Sequence, residues 1–273
     1  MSNTQTRIVS AAVLLLILLS CVLMGQQATL ALIGVIGFLV IDEIITNFYD
    51  QTRGSVKYIL AQVIYLAGYY FFNFYQISKS SFNFWNSAGI VLNIGLLAYL
   101  FLIYKKSDTL LKVFRATSWL TGFIMLIPLM CLSYIVHFDN WKILLVAMMI
   151  MNFMVDTAAY FTGKKFGKHK LWESVSPKKT VEGAIGGVVC SVIATSLFWK
   201  QFISDITPLT ILFFTLVACS SQIGDLVQSK LKRQFEIKDS SSLIPGHGGV
   251  YDRVDSLLFV APFYAFYLMA NFQ

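Results

Sequence analysis

A chain of 273 residues, 57% of them hydrophobic and only 13% charged, with a mean hydropathy of +0.69, is far from a soluble domain, which carries about 25% charged residues. The net charge of +7 does not mark a nucleic-acid binder, because the cations are confined to particular connections between apolar runs. Those runs lack the alternation of a membrane β-barrel, so the expected fold is all-α, a polytopic integral membrane protein.

At roughly 20 apolar residues per crossing, nine transmembrane helices are predicted, over 8–24, 28–49, 56–75, 84–104, 117–136, 141–162, 181–200, 207–229 and 254–272. All of the 21 Lys and Arg except Lys79, Lys142 and Lys200 fall at the N-terminus or in the connections after the second, fourth, sixth and eighth spans. The positive-inside bias then places the N-terminus in the cytoplasm and the C-terminus outside. Residues 1–116 form a supporting, lipid-facing region. Residues 117–273 carry the charged motifs, with cytoplasmic loops at 163–180 and 230–253.

The first span holds Leu18-Leu19-Ser20-Cys21, which faintly resembles a bacterial lipoprotein cleavage site but fits an ordinary span better. Cys21, Cys131, Cys190 and Cys219 stand singly in apolar runs, as small buried or lipid-facing residues do. In the second span, Asp42-Glu43 places charge in an apolar run, which costs about 2.5–3.5 kcal/mol at mid-bilayer. Snorkelling to the interface and support of a polar site both account for it. Tyr69–Tyr75 and Phe82–Trp85 fit an interfacial aromatic belt.

The sixth span carries Asp156 and Tyr160, four residues apart on one face. A basic loop follows, ending in Ser176-Pro177-Lys178-Lys179-Thr180-Val181-Glu182-Gly183. Ser176 or Thr180 suits the cap of the seventh helix and Glu182 its first turn. A helix N-terminus flanked by lysines and hydroxyls is a ready phosphate site. Gly183, Gly186 and Gly187 suit close helix packing.

The eighth span brings Asp225, Ser229 and Lys232 to one face. After the loop, Asp252 and Asp255 share a face if the ninth helix has begun there. Asp42, Glu43, Asp156, Glu182, Asp225, Asp252 and Asp255 thus come from five helices to one cytoplasmic depth. Carboxylates with cations at one level suit a metal ion handling phosphates.

The stretch Ser229…Lys232-Arg233…Lys238-Asp239…His247-Gly248-Gly249…Asp252-Arg253…Asp255 resembles, without a gap, the signature of the phosphatidate cytidylyltransferase (CDP-diacylglycerol synthase) family. The upstream segment from Asp156 to Gly183 is similar to the family as well, so about 100 residues, 156–255, carry the likeness. Gln228 stands where bacterial members often have Glu, Ala158 where they have Gly, and Ser240-Ser241-Ser242 where a Gly is usual.

The resemblance implies Asp225 and Asp252 as ligands of a catalytic Mg²⁺, beside which a second cation such as K⁺ has room, with Asp239 and Asp255 ligating or supporting. It implies phosphate binding by Ser176, Lys178, Lys179 and Thr180 and by Lys232, Arg233, Lys238 and Arg253. His247, Gly248 and Gly249 would bring backbone donors to a nucleotide. The substrates it implies are CTP and phosphatidic acid, in a homodimer among membrane lipids, with no nucleic acid. The compact chain suggests a bacterial plasma (inner) membrane with the site facing the cytoplasm. A CTP-dependent lipid kinase and a CDP-ether-lipid synthase are the neighbouring alternatives. A transporter is remote, since its binding groups belong at mid-membrane and no internal repeat is visible.

Overall fold

Long apolar runs closed by capping residues dictate most of the architecture of the computed structural model, which describes residues 3–75, 78–103 and 108–272. Helices α1 (Asn3–Met24) and α2 (Gln26–Glu43) are followed by α3 (Val56–Tyr70), α4 (Lys79–Leu102) and a short α5 (Asp108–Ala116). Then come α6 (Thr121–Ile135), α7 (Trp141–Phe166), α8 (Val181–Phe202), α9 (Pro208–Gln234) and α10 (Tyr251–Asn271). Ser55, Ser78, Thr180 and Thr207 each accept a hydrogen bond from the backbone N–H three residues on, capping α3, α4, α8 and α9. Thr180, not Ser176, is therefore the cap of α8.

Eight helices among the described residues are long and apolar enough to cross a membrane, where nine were expected. The remaining expected span, 56–75, is helical throughout, as α3 plus a π-helical turn Phe71–Tyr75. Lys57, Gln62 and Asn73 dilute its apolar run. Two features lie outside the expected spans. One is α5, with Asp108 in its first turn and Arg115 in its last, matching the helix dipole. The other is a hairpin inside the 163–180 loop, β1 (Lys170–Trp172) antiparallel to β2 (Ser176–Thr180).

Almost all of α6 is buried, and it packs against α2, α3, α4 and α10. The most extensive seam joins α7 to α8, where a Cβ on Gly187 would stand 2.6 Å from the Val155 carbonyl oxygen. That bears out the packing role read for these glycines. Cys21 lies within an uninterrupted α1, and all four cysteines are free.

The helices alternate in direction, so the bundle has two ends. Ser10 Oγ donates to the Pro245 carbonyl at 2.8 Å, and Lys57 reaches the Arg115 carbonyl at 3.1 Å. These contacts gather the start of α1, the α2–α3 turn, α5 and the α9–α10 loop at one end. At the other, His137 meets Gln26 at 3.2 Å and Asn73 at 3.1 Å. Lys105 and Lys106, counted in the basic connections, lie outside the described residues.

Candidate active site

The loop between α9 and α10 is built around two carboxylates from different helices. Asp252, in the first turn of α10, accepts on Oδ1 from Lys232 Nζ (2.8 Å) and Gln228 Nε2 (3.2 Å). Its Oδ2 accepts from the backbone of Ser240 (2.7 Å) and Gly249 (3.0 Å) and from the Ser240 hydroxyl (3.0 Å). Glu43, only 2% exposed, reaches across from α2. It accepts from Ser240 Oγ (2.9 Å), Ser241 Oγ (2.6 Å) and the backbone N–H groups of Val250 (2.8 Å) and Tyr251 (2.9 Å). Those two N–H groups are orphan donors of a helix start, so Glu43 caps α10 from outside its own chain segment. The Ser240 hydroxyl has one proton and two carboxylate acceptors, and it serves one at a time.

The His247-Gly248-Gly249 turn is shaped by the same carboxylates. Gly248 has φ +85°, which L side chains rarely adopt, and a Cβ there would stand 2.8 Å from Asp252 Oδ2. A Cβ on Gly249 would run into Ser240 Oγ and Glu43 Oε2. The turn closes through the Ile244 N–H on the Gly248 carbonyl (2.8 Å) and the His247 N–H on the Ile244 carbonyl (2.9 Å).

On the neighbouring side of α9, Asp225 pairs with Lys179 of β2 and receives a long bond, 3.5 Å, from Ser229 Oγ. A cavity of about 320 Å³ opens there, with Asp156, Lys178, Lys179, Thr180 and Gln222 among the residues lining it. Asp156, Asp225 and Asp255 lie near enough to repel one another, with Lys179, Lys232 and Arg253 offsetting that repulsion. Carboxylates from α7, α9 and α10 thus converge beside the N-terminus of α8 and a lysine-bearing hairpin.

Most of the residues singled out from sequence meet here. Asp156, Lys178, Lys179 and Thr180 line the cavity, and Gly249 and Lys232 hold Asp252. Asp252 and Asp255 do share a face, because α10 begins at Tyr251. Ser176 sits on β2 opposite Trp172. Arg233, Lys238, Asp239 and Arg253 are exposed, whereas His247 is half-buried. Glu182 turns back to the Lys168 and His169 backbone and to His169 Nδ1 at 2.6 Å.

Asp42 and Glu43 part company. Asp42 takes a paired bond from Arg53 (2.8 and 2.9 Å) and one from Tyr58 (2.9 Å) away from the loop, while Glu43 is part of the site. Outside the membrane-spanning segments, Arg53 is held more firmly protonated than usual by that Asp42 bond. Sequence reasoning passed over Ser240 and Ser241, seeing only a departure from Gly. A serine run beside a charged turn was the available signal.

The donor set is all oxygen, which suits a hard divalent cation. Among the described residues no three His, Cys, Asp or Glu side chains already converge on one coordination point. Mg²⁺ is commonly held by one or two carboxylates plus substrate phosphates, so these residues fit such an ion.

The profile of the Cytidylyltransferase family matches residues 5–271. A phosphatidate cytidylyltransferase of Bacillus subtilis (strain 168) is 37% identical over 203 residues, 71% of this chain and 74% of that protein. Those of Staphylococcus haemolyticus (strain JCSC1435) and Staphylococcus aureus (strain COL) are 44% identical over 131 residues and 47% identical over 116. These matches take in 47% and 41% of this chain, and only 50% and 44% of the two staphylococcal proteins.

Proposed function

Because the chain belongs to the cytidylyltransferase family, matched over residues 5–271, we propose that it transfers the cytidylyl group of CTP to phosphatidic acid, giving CDP-diacylglycerol and pyrophosphate. One observation carries the reading. Asp225 and Asp252, the two carboxylates implied as metal ligands, each hold a lysine implied as a phosphate binder, Lys179 and Lys232. The lysines neutralise the carboxylates in this structure and would turn to the phosphates of a bound nucleotide, leaving the carboxylates to hold a cation.

The lipid phosphomonoester, with a second pKa near 6, is already largely ionised at neutral pH, so no dedicated base is needed. One of its oxygens attacks the α-phosphorus of CTP in line. The bond from that phosphorus to the bridging oxygen breaks, and pyrophosphate departs with both electrons. The obstacle is repulsion between two polyanions. Lys178, Lys179, Lys232, Arg233, Lys238 and Arg253 offset it. The turn at His247, Gly248 and Gly249, whose His247 and Gly249 N–H groups go to the Ile244 carbonyl and Asp252, serves by holding Asp252 in place. Mg²⁺ on Asp225 and Asp252, supported by Asp239, Asp255 and Asp156, would supply charge neutralisation at the leaving pyrophosphate.

In this reading residues 117–273 carry the chemistry and 1–116 support it. The basic connections favour a site on the cytoplasmic face, and a bacterial inner membrane and a homodimer belong to the same reading. The test is purified protein with phosphatidic acid, Mg²⁺ and CTP labelled at the α- or the γ-phosphate. Label from the α-position entering lipid, with γ-label leaving as pyrophosphate, supports cytidylyl transfer. Entry of γ-label into lipid instead makes the protein a CTP-dependent lipid kinase. Chelation by EDTA abolishes turnover and added Mg²⁺ restores it; turnover that survives chelation overturns the metal assignment.

A further inference from the structure

An adjacent face of α9 borders a second cavity, of about 290 Å³. Gly224, Val227, Gln228 and Leu231 line it from α9, about a third of a turn away from Asp225 and Ser229. Its walls are otherwise mostly apolar, with Leu96 of α4, Met125 of α6 and Leu258 of α10. Helix α5 lends Phe114, whose ring stacks on Tyr49 at 6.4 Å.

Part of the cavity wall is polar. Gln228, 1% exposed, reaches Asp252 with its amide nitrogen, and Asp255 also lines the cavity. Gln228 Oε1 and the Tyr99 hydroxyl are buried without hydrogen-bond partners among the described residues. A buried hydroxyl without a partner costs about 1–3 kcal/mol, which makes Tyr99 a donor waiting for an acceptor.

We propose that this cavity receives one acyl chain of the lipid substrate, with the Tyr99 hydroxyl donating to an ester carbonyl. The proposal rests on the lipid-substrate reading above and deepens it. Through Gln228 the cavity adjoins the Asp252–Lys232 pair, so an occupant that sets an anionic group near that pair extends an apolar body into the cavity. A phosphatidate is built that way. The volume lies at the small end of ligand pockets, roughly 300–1,000 Å³, so it takes one chain and leaves the other in the bilayer. Lipid tails are as apolar as leucine, so the cavity selects by shape and not by desolvation.

Leu96→Trp and Met125→Trp, made separately, fill the cavity from two helices. In detergent, the ratio of kcat/KM for dioleoyl over dihexanoyl phosphatidic acid is expected to fall at least about tenfold in each, the scale set by losing one or two methylenes of fit. A ratio unchanged from that of the unaltered protein overturns the acyl-chain assignment. Turnover by the unaltered protein on dihexanoyl phosphatidic acid tests the activity itself, so the two failures are distinct. If a variant loses both substrates, the unaltered protein decides. Phosphatidic acid with a diazirine in its acyl chain labels α4 and α6 around Leu96 and Met125. Unlabelled phosphatidic acid suppresses that labelling and phosphatidylglycerol does not. Labelling confined to outward-facing positions such as Ile94, or equal suppression by both lipids, overturns the proposal.

Discussion

The two ends of the same helices are held by different physics. At the site end, Glu43 and Asp252 gather backbone and hydroxyl donors from Ser240 to Tyr251, within 2.6–3.0 Å for Ser240, Ser241, Gly249, Val250 and Tyr251. At the far end, beside the His137 hydrogen bonds, rings carry much of the packing: Phe213 lies flat on Tyr267 at 3.8 Å, and Trp199 meets Phe214 edge-on at 5.2 Å. Ring packing is forgiving of direction, whereas charge-assisted bonds fix donors to within a few tenths of an ångström. The site end therefore spends its interactions on placing a loop, and the far end on keeping the bundle together. Substitutions should separate the two, in activity and in Tm.

The largest effect on turnover is expected at Asp225. Asp225→Asn keeps the shape, removes a carboxylate facing Asp156 and Asp255, and leaves Lys179 without its partner. Turnover is expected to fall at least about 10³-fold, the upper scale for losing one preorganised electrostatic group, while Tm holds or rises as the repulsion eases. Near-normal kcat would sink the role given to Asp225. Next comes Lys179. Lys179→Ala is expected to raise KM for CTP about thirtyfold, ~2 kcal/mol, the low end of the scale for truncating one partner of a charge pair, since this pair is half-buried. Lys179→Arg should recover part of it, and an unchanged KM in the Ala variant would remove Lys179 from the phosphate site.

Glu43→Gln tests the loop itself. Glutamine offers one acceptor oxygen where two are used, so its NH₂ faces either Ser241 and Val250 or Ser240 and Tyr251. An orphaned backbone N–H costs about 1–3 kcal/mol. A fall in kcat of about tenfold, ~1.4 kcal/mol, should accompany a lower Tm, with little change in KM for CTP. A loss confined to Tm would show that Glu43 holds the fold alone and not the reacting groups.

How much of this was legible follows from the range of each signal. Apolar runs and caps are local, so the spans could be read directly and the α8 cap narrowed to Ser176 or Thr180. The cluster depth of Asp156, Asp225 and Asp252 followed from topology, because alternation of the helices fixes which ends meet. The Lys232 side chain departed from the helical-face reading: it shares a face with Asp225 but turns to Asp252 across the loop. Glu43 was visible as an intramembrane carboxylate, yet nothing along the chain pairs it with Ser240, 197 positions away. The β1–β2 hairpin was hidden because Ser176-Pro177-Lys178-Lys179 has no alternation and carries a proline tolerable only at an edge. The nine-residue α5 is too short to stand out from a basic connection.

The smallest effect on chemistry belongs to the far end. Trp199 is fully buried, donates from Nε1 to Ser204 Oγ at 2.9 Å, and meets Tyr267 and Phe272 as well as Phe214. Trp199→Ala removes the largest side chain of that cluster and leaves a cavity that rings cannot close without moving, a cost of about 3 kcal/mol. Part of the usual transfer cost is absent, since surrounding lipid is as apolar as the cluster. The variant should melt at a clearly lower temperature. Distant sites couple within about 0.3–0.5 kcal/mol, so turnover per folded molecule well below Tm should stay within about twofold. A larger loss of kcat in the folded variant would show that the two ends are coupled through α8, α9 and α10. The separation between loop placement and bundle packing would then fail.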